Sequence, residues 1–282
     1  MVQDRVRVGS GVLRRSRAAG FVARAAVAGC ALLCVVVAPA LAAPCDAVFA
    51  GGRPPALINQ RLAVRSHALC FGAYAVLASG VSRGPVWSAE HPTPASVEGA
   101  RGLERVDAFH AEEALPEADR AEPEDYVRSG FDRGHMTPSG DMADEESQHA
   151  SFSMANIVPQ APKLNRGLWS RIEAAVRRLA ETQDGGVYVV TGPVFFGKDL
   201  RSLPAGELVP SAVFKAVLEP GVGAAAYVCA NRDPSRCRVV SIAQLSARIG
   251  FDPFPSLSAD ARINAIALPK PGRSRRKPRS SP

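Results

Sequence analysis

The sequence has no CxxC pair and no cysteine–histidine spacing suited to zinc, no internal repeat, and, once its two ends are set apart, no excess of positive charge. The first absence removes the zinc-held modules, and the second removes repeat architectures. The third needs the charges located. The 282-residue chain carries a formal +7, of which residues 1–42 contribute +5 (six Arg, one Asp) and residues 270–282 contribute +6, leaving −4 for the 227 residues between them. A basic face over the whole domain, the usual footprint of a general nucleic-acid binder, is therefore not supported. Any anion site must be a local patch.

The ends do not read as fold. Arg14, Arg15, Arg17 and Arg24 precede the apolar run AAVAGCALLCVVVAPALA, which closes on Ala40-Leu41-Ala42. Charged region, apolar region and small-residue site are the order of a secretory signal, so residues 1–42 are expected to be removed on export to the periplasm or the medium. A retained anchor and lipidation at Cys30 are rival readings. With the signal removed, no stable membrane association is expected. Residues 43–265 are expected to form one domain. Residues 266–282, with KPGRSRRKPRSSP from Lys270, read as a basic tail with nothing to bury.

Cleavage would leave four cysteines, Cys45, Cys70, Cys229 and Cys237. An even number in an exported chain points to disulfides. Cys229 and Cys237 flank the turn-rich ANRDPSR between two β-like runs, so they are expected to close a hairpin, which leaves Cys45 with Cys70.

Along the mature chain, LCFGAYAVLAS (69–79) reads as β, and 85–125 as a loop-dominated segment with WSAEH as a short strand. SFSMANIVPQ is short and broken by Pro159. GLWSRIEAAVRRLAE places Leu168, Ile172, Ala175, Val176 and Leu179 at helical spacing. GVYVVTGPVF reads as a central strand, VFKAVLE and AAAYVCA as further strands, and SIAQLSARIG as a helix stopped by Gly250. The acidic residues Asp141, Asp144, Glu145 and Glu146 read as a solvated loop. Phe131, Met136 and Trp169 read as packing residues.

The stretch FDRGHMTPSGDM (131–142) concentrates chemistry. In an extended chain Arg133 and His135 point to one face, a fixed cation beside a group that titrates near neutrality. Asn156 (SMANIVPQ), Asn165 (PKLNRGLW), Glu173 and Arg177 (SRIEAAVRR) follow in order. This set, with ALCFGAYAV, WSAEH, YVVTGPVF and FDPFPSL, resembles the DNA/RNA non-specific endonuclease family, the DRGH nucleases with a ββα-metal site, over most of residues 45–257.

The resemblance implies an α+β fold, a mixed, mainly antiparallel sheet core flanked by helices. It implies His135 as general base, Asn165 as the direct ligand of one Mg²⁺ (with Mn²⁺ as a substitute), and Glu173 holding metal-bound waters. Asn156 would support the histidine and metal region. Arg133 would face the scissile phosphate, Arg177 would reach the phosphate or pair with Glu173, and Arg105 (LERVDAF) matches a further family arginine. The implied activity is hydrolysis of DNA and RNA to 5′-phosphate ends. Oligomeric state is left open, a homodimer included. A non-catalytic nucleic-acid-binding module of the same fold, and a phosphodiesterase for small phosphoesters, are the competing readings.

Overall fold

The computed structural model describes residues 45–197 and 199–272, which belong to one compact unit. The expected signal (1–42) and most of the basic tail lie outside the described residues. The strands in chain order are β1 (Ala56–Leu57), β2 (Ser66–Cys70), β3 (Tyr74–Ser79), β4 (Gly84–Glu90), β5 (Asp132–His135), β6 (Ile157–Gln160), β7 (Tyr188–Val194), β8 (Ala212–Glu219), β9 (Gly223–Ala230), β10 (Cys237–Val240) and β11 (Phe251–Asp252). The helices are α1 (Pro94–Arg101), α2 (Glu145–Ser151), α3 (Ser170–Thr182), α4 (Ile242–Ile249) and α5 (Ala259–Ile263).

Seven strands form one antiparallel sheet in the order β10-β9-β8-β7-β4-β3-β2, so GVYVVTGPVF supplies its central strand, β7. Both faces are covered, which is why β7 and β8 read as nearly continuous apolar runs. On β8, Phe214, Ala216 and Leu218 join a core with Phe251, Leu245 and Trp87, while Val213 and Val217 face Leu164, Trp169, Ile172 and Val176 on the other side. Each such side chain, fully buried, contributes about 1.5–3 kcal/mol. Sheet neighbours β4 and β7 are joined by the long excursion 91–187, which lays α1, β5, β6, α2 and α3 over the second face.

Several local expectations are corrected. LCFGAYAVLAS is a hairpin rather than one strand, since the chain turns at Phe71–Ala73 between β2 and β3. Residues 85–125 are not all loop. Thr93 and Ser96 form a reciprocal capping box that starts α1, with Pro94 at its first turn. Pro159 lies within β6, opposite Arg133 in the two-stranded β5–β6 ribbon, where a missing N–H is tolerated at an edge. Beyond Ile263 the chain stays packed: Ile266 N–H donates to Ala224, the Tyr227 hydroxyl donates to the Pro269 carbonyl, and Leu268 touches the core. The chain is thus still in contact with the sheet at Pro269.

Gly250 ends α4 with φ 79°, in the left-handed region that favours glycine. Disulfides join Cys45 to Cys70 and Cys229 to Cys237, the latter directly opposite each other on β9 and β10. No helix among the described residues is long and apolar enough to cross a membrane.

Candidate active site

Beside the β5–β6 ribbon the excursion opens a cleft of about 580 Å³. β5 is DRGH itself, and its alternation sends both Arg133 and His135 to the cleft. The glycine between them is dictated by packing. A Cβ on Gly134 would come within 2.5 Å of Gln160 Cβ on the paired strand. The chain leaving β6 runs into a π-helical turn, Leu164–Trp169, and then α3. The wider i→i+5 turn brings Asn165 onto the side of Ser170, and Glu173 follows one α-turn later, so all three line the cleft.

His135 is 7% exposed, its ring set between Phe109 and Phe152 with centroids at 5.3 and 4.9 Å. Its Nε2 is buried without a hydrogen-bond partner. Burial, aided by the charge of Arg105 and opposed by Asp107, pushes its pKa from 6.5 down to about 3, so the imidazole is neutral. Arg133 lies over Phe109 at 4.3 Å, and Arg105 donates to Ser139 Oγ at 3.0 Å and to Asp107 at 2.7 Å. Glu173 is pushed up to about 7, chiefly by burial, with Asp141 adding and Lys215, Arg177 and Arg105 opposing.

Asn165 Nδ2 donates to Asp132 Oδ2 at 3.0 Å, and Arg166 Nε reaches the same oxygen at 2.8 Å. Asp132 is thus a tether for the π-turn. With its nitrogen committed, the Asn165 amide keeps its oxygen for another partner. Among the described residues no three His, Cys, Asp or Glu converge on one point. With Asp107 paired to Arg105 and Asp132 to Asn165 and Arg166, the cleft keeps the Asn165 amide oxygen and the Glu173 carboxylate, a hard and sparse set that fits Mg²⁺ retaining several waters.

Two expected site residues stand elsewhere. Asn156 is fully buried outside the cleft lining; it accepts from Thr137 N–H at 3.0 Å and donates to the Thr137 and Ser151 carbonyls. It fastens the chain two residues beyond His135. Arg177 does not line the cleft either. It donates from Nε to Asp141 Oδ1 at 2.5 Å, and Asp141, far from being solvated, is 5% exposed. The buried carboxylate takes the hydrogen bond of the guanidinium, which also acts electrostatically on Glu173 one turn earlier on α3. Met136 and Trp169 are core residues, as read, and Phe131 is a partly buried wall of the cleft. His149 stacks on His110.

The sequence reading missed the charges beneath the cleft. Lys215 is 1% exposed and lies 3.7 Å from Glu90, itself 2% exposed. Burial raises the Glu90 pKa well above the carboxylate range, with Asp141 adding and Lys215 and Arg177 opposing. A single lysine inside VFKAVLE was the available signal, because lysine is almost never fully buried without a partner.

The β5–β6–α3 unit beside an arginine- and histidine-lined cleft is the arrangement of a ββα nuclease-type site, and the family profile of the DNA/RNA non-specific endonuclease matches residues 56–260. The chain belongs to that family. It is similar to mitochondrial nuclease EXOG of Danio rerio, 38% identical over 40% of this chain and 32% of the relative. It is also similar to a nuclease of Nostoc sp. (strain PCC 7120 / SAG 25.82 / UTEX 2576), 32% identical over 57% of this chain and 64% of that one. Mitochondrial endonuclease G of Bos taurus is 31% identical over 52% of this chain and 48% of its own length. The chain therefore spans between about a third and two thirds of these relatives' lengths. Among solved structures, the crystal structure of the EndoG/EndoGI complex, concerned with the mechanism of EndoG inhibition, superposes with a TM-score of 0.63 at 25% identity, covering 71% of this chain and 90% of that one.

Proposed function

We propose that this protein is an exported, Mg²⁺-dependent, sugar-nonspecific endonuclease that hydrolyses phosphodiester bonds of DNA and RNA and leaves 5′-phosphate ends. The observation that carries the reading is the neutral, unpartnered Nε2 of His135, in a cleft shared with Arg133, Arg105, Asn165 and Glu173. His135 takes a proton from water, the hydroxide attacks phosphorus in line, and the 3′-oxygen leaves. A phosphodiester anion bound beside His135 raises its proton affinity again, so the ring accepts a proton only when substrate is present. Arg133 and Arg105 hold the phosphoryl oxygens and offset charge that grows in the transition state. Asn165 and Glu173 would hold Mg²⁺, or Mn²⁺ in its place, which supplies Lewis-acid stabilisation of the phosphoryl and leaving oxygens. Water as nucleophile makes the 2′-hydroxyl unnecessary, and grip on phosphate rather than base edges gives little sequence preference.

Two disulfides support an oxidising compartment, and with the basic, small-residue-terminated leader they support export to the periplasm or medium. The proposed organisation is a signal over 1–42, a catalytic domain over 43–265 and a basic tail whose first residues, up to Pro269, lie against that domain. Purified protein should degrade plasmid and RNA with Mg²⁺, stop with EDTA, and lose activity in His135→Ala. Full activity in that variant defeats the mechanism. A rate on a small aryl phosphodiester equal to that on plasmid would move the substrate assignment to small phosphoesters.

A further inference from the structure

We propose that Lys215 is a positioning residue for His135, one of a polar row that the sheet lays beneath the cleft. The proposal rests on the hydrolase reading above. Ser88, Thr191 and Lys215 are successive register partners on β4, β7 and β8, so they stand in one line across the face that the excursion covers. Two of them grip the chain just past His135. Lys215 Nζ donates to the Met136 carbonyl at 3.3 Å, and Ser88 Oγ shares a hydrogen bond of 2.7 Å with Thr137 Oγ1. Thr191 Oγ1 accepts from the same Nζ at 2.8 Å and fixes where the ammonium stands. Asn156 holds Thr137 from the opposite side through its N–H and carbonyl.

This clamp matters because His135 Nε2 has no hydrogen-bond partner and the ring is flanked by Phe109 and Phe152. With these apolar neighbours, the direction of the imidazole is set by the peptide that carries it. The neighbours of Lys215 on its own strand face, Val213 and Val217, are fully buried and apolar. An apolar side chain at 215 would pack there without the several kcal/mol of desolvation that a buried ammonium costs. Glu90 at 3.7 Å and the oxygens of Met136 and Thr191 offset that penalty. The charge sits where the carbonyl after His135 has to be held.

Kinetics on plasmid DNA and thermal melts of the full chain test this, comparing wild type, His135→Ala, Lys215→Met and Lys215→Met/Glu90→Gln. Both lysine variants should lose about tenfold or more in kcat, as displacement of a reacting group does, with KM within about twofold of wild type. The double variant, which leaves no orphaned carboxylate, should melt at or above the wild-type temperature. An active wild type beside Lys215→Met of equal kcat overturns the positioning role and leaves the hydrolase reading standing; an inactive wild type overturns both. A double variant that regains turnover together with its melting temperature also overturns it, because the lysine then serves stability alone. Should the lysine variants not fold, Ser88→Ala removes the neighbouring grip on Thr137. Its kcat should fall about fivefold at unchanged KM, the loss of one buried hydrogen bond, and a wild-type kcat there overturns the proposal.

Discussion

Asp132 and Asn165 are joined by a hydrogen bond of 3.0 Å from the amide nitrogen to the carboxylate, linking the first residue of DRGH to the π-helical turn before α3. The bond fixes which end of the amide faces Asp132 and leaves its oxygen free for the metal of the proposed mechanism. Asp132→Ala frees the amide to flip. The Mg²⁺ concentration for half-maximal activity should rise about tenfold or more, as loss of an orienting partner commonly does. A metal titration of activity, with direct Mg²⁺ binding by calorimetry beside it, checks this.

Arg177, partly exposed, pairs with the buried Asp141 and does not line the cleft. Arg177→Ala leaves the Asp141 carboxylate buried and uncompensated, so stability should fall by about 3–5 kcal/mol. Urea unfolding measures it. A stable Arg177→Ala protein whose only defect is weaker substrate binding would instead return Arg177 to the phosphate.

His135 and Glu173, facing one cleft, make opposite demands on pH. His135 has a folded pKa of about 3 against 6.5 unfolded, so as pH falls from 6.5 toward 3 the unfolded chain binds the extra proton and stability drops. Glu173 has a folded value of about 7 against 4.5 unfolded. Its contribution is fully present below pH 4.5 and is lost as pH rises to 7, above which a buried carboxylate must be carried charged. In EDTA, His135→Gln should therefore melt higher than wild type near pH 4, and Glu173→Gln should melt higher near pH 8. Melting curves at the two pH values decide the matter, and equal shifts at both would remove the assignment.

Gly134→Ala tests the close pairing of β5 with β6. The added methyl meets Gln160 and must push the strands apart, so a loss of about 1–3 kcal/mol is expected. Because the same movement displaces Arg133 and His135, activity should fall further than stability alone explains. Denaturant melts and turnover on plasmid, compared at a temperature where the variant is folded, separate the two effects.

Much of the site was legible because its residues are written in short segments whose local structure is dictated locally. Period-two alternation put Arg133 and His135 on one face, and helical spacing made the amphipathic α3. The apolar runs identified β7, β8 and β9, since strands covered on both faces carry few polar residues. The partner of Arg177 was only half legible: residues 173 and 177 are helical neighbours and do act on each other electrostatically, but Asp141, which takes its hydrogen bond, comes from a distant turn. The π-turn at Asn165 was equally invisible, since one extra residue in a helical turn leaves no mark on the apolar pattern.

By itself, then, the sequence determined the apolar strand-forming runs, the disulfide partners and the family, because each rests on neighbours in the chain or on ordered motifs, while that DRGH is a strand came from the structure. Only the tertiary structure decided that His135 is desolvated and neutral, that Asp141 is buried against Arg177, and that Ser88, Thr191 and Lys215 line up beneath the cleft. Those facts depend on sheet register and burial, which bring together residues from β4, β5, β7 and β8 that no spacing along the chain relates.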